Sequence, residues 1–120
     1  MTSPRTIEKT TYTGAAAVAV VGTPPGGSLP GKGTAWELLS VMLKYSADPG
    51  VENLTITYNS SAGAVYDMLL KAQAMSGVTA LWWTPTERLY IAPGDSVDIA
   101  QTNASTRTYG ITLTWGEVVV

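Results

Sequence analysis

The chain has 120 residues, 45% of them hydrophobic, with seven Lys plus Arg against nine Asp plus Glu, and it contains no histidine and no cysteine. That length fits one domain with one core, and cations scattered from Arg5 to Arg107 build no phosphate-binding patch, which argues against nucleic acid as a partner. The longest apolar run, Ala15 to Val21, falls far short of the roughly 20 residues that span a bilayer, and the missing cysteines rule out disulfides and thiolate metal sites.

In chain order, Thr6 to Tyr12 and Ala15 to Val21 read as two strands or as an extended arm. The first has β-branched residues at alternate positions and the second is rich in small residues. Arg5 and Lys9 before the apolar run imitate a secretory signal. Glu8 inside the supposed positive region and the lack of a small-x-small cleavage site argue against one, and the sequons at Asn53, Asn59 and Asn103 are then expected by chance. Thr23 to Gly33, with three prolines and four glycines in eleven residues, propagates neither ladder nor helix. The expected division is therefore an N-terminal strand or arm with its Pro/Gly loop over 1–33, followed by a β-sandwich over 34–120. Val18, Val20, Val21 and Leu29 are the candidate adhesive residues of the arm, because exposed apolar strand edges seek partners.

Ala35 to Tyr45 fits a strand with Leu39, Val41, Leu43 and Tyr45 on one face and Trp36, Leu38 and Met42 on the other. Thr34 and Glu37 also have the spacing of a helix capping box, but strand is the favoured reading. Leu54 to Tyr58 and Ile111 to Trp115 alternate large apolar residues with threonine, the period of a strand with one buried face. Ala64 to Met75 is rich in helix formers, so propensity alone points to helix. Ala92-Pro93-Gly94-Asp95 is a type II turn pattern that suits a corner between sheets better than a hairpin. Ser46 to Gly50 and Thr102 to Thr106 are further inter-strand loops. Strands at this spacing predict an all-β, antiparallel β-sandwich of about eight strands, either jelly-roll or immunoglobulin-like.

Candidate chemistry is sparse. Asp95 and Asp98 with Asp48 or Glu52 have the composition of a calcium site, but strand spacing points them apart. Asp67 with Glu87 or Glu117 has the composition of a glycosidase pair, and a turn-capping or solvated carboxylate is the favoured reading. Ser60-Ser61 has no histidine base, and no nucleophile elbow or phosphate loop is present. The expectation is a non-enzyme without metal or cofactor. Trp82 and Trp83 are adjacent, so one points inward and one outward. The outward ring can pack under a loop, anchor a protein interface or, with Tyr90, stack on a sugar. Trp82, Trp83 and Tyr90 complete the candidate interface residues, and Trp36 and Trp115 are expected in the core.

The order Glu52-Asn53-Leu54-Thr55-Ile56-Thr57, Gly63-Ala64-Val65-Tyr66-Asp67-Met68-Leu69-Leu70, Ser76-Gly77-Val78-Thr79, Leu81-Trp82-Trp83-Thr84-Pro85, Pro93-Gly94-Asp95-Ser96-Val97 and Thr108-Tyr109-Gly110-Ile111-Thr112-Leu113 resembles small decoration and cement proteins of tailed bacteriophages. The resemblance covers about residues 35 to 116. It implies a jelly-roll or immunoglobulin-like module on the capsid exterior, made in the host bacterial cytoplasm, that stabilises the head by bridging major capsid subunits. It also implies a homotrimer or homodimer, and it shifts Val65 to Lys71 toward strand, with a short helical turn possible after it. A tail, neck or baseplate joining module and a carbohydrate- or receptor-binding sandwich are the alternatives.

Overall fold

In a computed structural model that describes residues 7–25, 34–92 and 94–119, the alternation of the sequence becomes nine strands in two antiparallel sheets. They are β1 (Ile7–Gly14), β2 (Val18–Gly22), β3 (Thr34–Tyr45), β4 (Asn53–Asn59), β5 (Met68–Ala74), β6 (Ala80–Trp83), β7 (Leu89–Ile91), β8 (Ser96–Gln101) and β9 (Tyr109–Val119). The first sheet runs β1-β9-β3-β6, with β7 also paired to β3, and the second runs β2-β8-β4-β5. Among the described residues a single 3-10 turn, Ala64–Tyr66, is the only helical element.

The pairing is nested: β1 lies on β9, β2 on β8, β3 on β6 and β7, and β4 on β5. One long hairpin rolled upon itself produces this order, which is the wiring of a jelly roll, with one of its eight strands split into β6 and β7. Consecutive strands mostly cross from sheet to sheet, so each buries the apolar side of its neighbour's sheet.

β3 is a strand, as the sequence reading favours, but its faces are not the simple alternate sets. A bulge between Leu38 and Ser40 shifts the register against β9. Trp36 and Leu38 before it, and Val41, Leu43 and Tyr45 after it, all point into the core. The energetic reason is direct. Turning Trp36 and Leu38 to solvent would cost about 1.5–3 kcal/mol each, whereas an interrupted ladder bond costs about 1 kcal/mol. The bulge therefore wins, and the outer face keeps Met42 in place of a second apolar layer.

The expected separation of an arm over 1–33 from a sandwich over 34–120 does not describe the fold. β1 is the edge of the first sheet and β2 the edge of the second. Val18 and Val20 are core residues, not adhesive ones, because the β2 residues of one parity face the other sheet. Of the remaining arm candidates, Val21 is exposed on the opposite face of β2, and Leu29 lies outside the described residues.

The Ala64 to Met75 region is β5 preceded by the 3-10 turn, so the helical turn comes before the strand and not after it. At the predicted corner the Asp95 amide donates to the Ala92 carbonyl at 3.1 Å, and Gly94 takes φ +86°, a conformation glycine adopts without penalty. β7 and β8 on either side belong to different sheets, as the turn type requires. Trp36 and Trp115 are buried as expected, and the Trp115 indole Nε1 donates to Thr10 Oγ1 at 3.0 Å. Tyr45 meets Tyr109 edge to face, with centroids 6.5 Å apart.

Candidate interaction surfaces

The carboxylates that composition offers for chemistry are tied into loops. Asp48 accepts the Gly50 and Gly77 amides at 2.9 and 3.0 Å, and Glu52 accepts those of Asn103 and Ala104 at 2.5 and 2.8 Å. Asp67 accepts the Ser60 amide at 2.8 Å, the turn-capping role read from the sequence. Asp98 accepts from Asn59 Nδ2 at 2.8 Å and from Ser96 Oγ at 2.7 Å. Asp95 accepts the Ser61 amide at 2.8 Å and the Tyr58 hydroxyl.

These partners set the protonation. The Ser61 amide, followed by the Tyr58 hydroxyl, holds Asp95 below the usual carboxylate range, and the Gly50 and Gly77 amides do the same for Asp48. Burial, then the bond to Asp95, pushes the Tyr58 phenol up to about 12. Burial, then the charge of Glu52, does the same to Tyr45, whose hydroxyl meets Gln101 Oε1. Among the described residues no three acidic side chains converge into a cluster that could hold a metal ion.

Asn103, read as a chance sequon, is buried at positive φ. Its amide donates to the carbonyls of Ala16 and Arg107 at 2.8 and 2.9 Å, which ties the 102–107 loop to the β1–β2 connection. Both amide hydrogens are thus engaged.

The exposed apolar side chains concentrate on one side of the sandwich, where β5 and β6–β7 form the free edges. Val65, Tyr66, Met68 and Leu69 are all more than half exposed. β5 is also the unpaired edge of its sheet, so this apolar stretch lies beside open backbone donors and acceptors. Between the two sheet edges a crevice of about 250 Å³ is lined by Met68, Leu70, Trp83 and residues 85–89. Trp83, a candidate interface residue, is half-buried there and packs on the core. Sequence reasoning did not single out Val65, Tyr66, Met68 or Leu69 as surface residues. Their apolar character is visible in the sequence, but the placement of β5 at an edge is not.

A second surface is the outer face of the first sheet. The strand registers place its side chains in rows: Ala80, Lys44, Gly110 and Thr13; then Trp82, Met42, Thr112 and Thr11; then Ser40, Thr114 and Lys9. Trp82 points outward and is 74% exposed, so the expected split between the two tryptophans holds. A shallow groove of about 490 Å³ runs beside it, bounded by Met42, Lys44, Ala80, Gly110 and Thr112. Toward the bulged end of this sheet, Glu37 is buried and accepts from Arg88 at 3.1 Å, and the Arg88 guanidinium lies 5.3 Å from the centre of the Tyr90 ring. Tyr90 is therefore held by a cation on its face and does not join Trp82 in one platform: it pairs with Glu37, whereas Trp82 pairs with Met42.

The sequence matches no known family model and no curated protein.

Proposed function

We propose that this chain is a structural virion protein of a tailed bacteriophage that binds the capsid exterior and bridges neighbouring major capsid subunits, as a homotrimer or homodimer, without catalysing a reaction. The observation that carries an adhesive role is the β5 edge, where Val65, Tyr66, Met68 and Leu69 are exposed beside unpaired backbone. Such an edge accepts a partner strand, with main-chain hydrogen bonds supplying affinity and the apolar side chains specificity. The phage assignment itself rests on the sequence resemblance across about residues 35 to 116.

A ligand that binds only the assembled shell stabilises it by mass action, and many copies multiply the effect. No nucleophile is needed for that task. The adhesive element is placed on β5 and not on the N-terminal segment, because β1 and β2 are already committed to the sheets.

The test is attachment to heads stripped of the protein. Adding it back should raise the temperature at which DNA is released, with only modest weakening by salt, since apolar and main-chain contacts are screened little. Met68→Lys with Leu69→Lys should abolish attachment and self-association while leaving the unfolding midpoint unchanged. Localisation confined to the tail or neck would sink the capsid reading, and full attachment by the double variant would sink the β5 assignment.

A further inference from the structure

The geometry points to a binding site for an acidic oligosaccharide on the outer face of the first sheet, centred on Trp82 and the groove beside it. This site is separate from the β5 edge, and the inference stands wherever the protein resides.

Three observations converge on that ligand class. Trp82 offers a broad apolar ring face, 74% exposed and directly opposite exposed Met42. An apolar platform of this size accepts the C–H face of a sugar ring, while the indole edge remains available to polar groups. The floor is open because Gly110 has no side chain, and a Cβ built there meets nothing within 4 Å.

Hydroxyl groups surround the platform. Thr112 stands across Met42 from Trp82, Thr11 continues that row on β1, and Thr13, whose hydroxyl donates to the Tyr109 carbonyl at 2.8 Å, is left as an acceptor in the next row. Hydroxyls both donate and accept, which matches the hydroxyls of a sugar. A protein partner's apolar core would find little area here, since beyond Trp82, Met42 and Ala80 the rows are polar.

Charge selects among sugars. The whole chain carries net charge −2, yet the three adjacent rows hold Lys44 and Lys9 and no carboxylate. Lys44 is diagonal to Trp82, a spacing of about 7–8 Å between backbones, so its ammonium can meet a carboxylate on a ring stacked over the indole. Two lysines can meet one or two carboxylates of an oligosaccharide of uronic or sialic type, whose other contacts are ring stacking and hydroxyl hydrogen bonds. They are too few for a nucleic-acid backbone, whose binding scales with the number of phosphates neutralised.

The experiment is titration of the full chain with oligogalacturonate, neutral cello-oligosaccharide of equal length and single-stranded oligothymidylate, followed by tryptophan fluorescence and by amide shifts on β3, β6 and β9. Oligogalacturonate should bind preferentially, and Trp82→Ala should weaken it by about tenfold or more. Gly110→Val, which fits without strain but fills the groove, should do the same. Lys44→Gln should remove the preference for the acidic sugar over the neutral one. The inference is overturned if oligogalacturonate does not bind, if the neutral sugar or the oligothymidylate binds as tightly, or if folded Trp82→Ala and Gly110→Val variants bind like the wild type.

Discussion

Gly22 shows at the residue scale how tightly the two sheets close. A Cβ at this position would lie 2.4 Å from Leu113 Cδ1 and 2.8 Å from the Val97 carbonyl oxygen, and because that carbonyl is backbone the clash cannot be relieved by a rotamer change alone. Gly22→Ala should therefore destabilise by about 1–3 kcal/mol, read as a lower urea midpoint at unchanged slope. Protonation acts at the same scale. Tyr45 and Tyr58 titrate at about 12 in the folded chain, against the ordinary phenol value of 10.0 that they regain on unfolding. A raised folded value means that their stabilisation is complete below about 10 and is lost as pH rises through about 12. Asp48 and Asp95 have depressed values, so their stabilisation is present above the ordinary carboxylate value of 3.8 and is lost as pH falls through the lower folded value. Urea midpoints should be flat between pH about 5 and 9 and fall on both sides. In Tyr58→Phe the alkaline fall should shrink, and an unchanged fall in a Tyr45→Phe, Tyr58→Phe double variant would refute this assignment.

β3 dominates at the scale of the element, since it pairs with β9, β6 and β7. Its bulge at Leu39 is what lets residues of both parities reach one core. Deleting Leu39 should remove the bulge without moving the core, because Leu38 and Ser40 already face the consecutive β9 residues Trp115 and Thr114, and Trp36, Leu38, Val41, Leu43 and Tyr45 would then share one parity. The shortened chain should keep cooperative unfolding and near-ultraviolet dichroism, and loss of both would show that Leu39 does more than absorb the change of parity. β5 poses the complementary case. Its positions opposite Leu54 and Ile56 are Gln73 and Lys71, so this edge covers the core with polar side chains and with Leu70, while Met68 and Leu69 stay exposed.

For the whole molecule, nesting makes the first strands as necessary as the last. β1 covers β9 from Tyr109 to Gly116 and β2 covers β8 from Val97 to Gln101. Removing residues 1–22 would uncover Leu113 and Val97, delete Val18 and Val20 from the core, leave Trp115 Nε1 without its partner, and strip the Asn103 amide of its bond to Ala16. A buried polar group left unpaired costs about 1–3 kcal/mol, and burial of each valine contributes about 1.5–3 kcal/mol, together a large share of the roughly 5–15 kcal/mol that holds a domain folded. The truncated chain should fail to fold, shown by the loss of amide protection on β8 and β9. A cooperative, sandwich-like remainder would restore the view of residues 1–33 as an appended arm.

Residue type and local order alone determined that this protein is built of one-sided strands: the Leu54–Tyr58 and Ile111–Trp115 alternations state their inward faces, and the Pro93-Gly94 pair states a corner. Pleating and turn sterics are local, so a few consecutive residues suffice to express them. The Asp67 cap and the split of Trp82 from Trp83 were legible for the same reason. Which strand ends up at an edge was not, because pairing joins residues about a hundred positions apart, as in Ile7 with Gly116. Long-range pairing therefore decided that Val18 and Val20 lie inside, that Leu39 is a bulge, and that Val65 to Leu69 and Trp82 face outward. A stretch of apolar residues reads the same in the chain whether a second sheet covers it or solvent does, and only the closing of the two sheets distinguishes them.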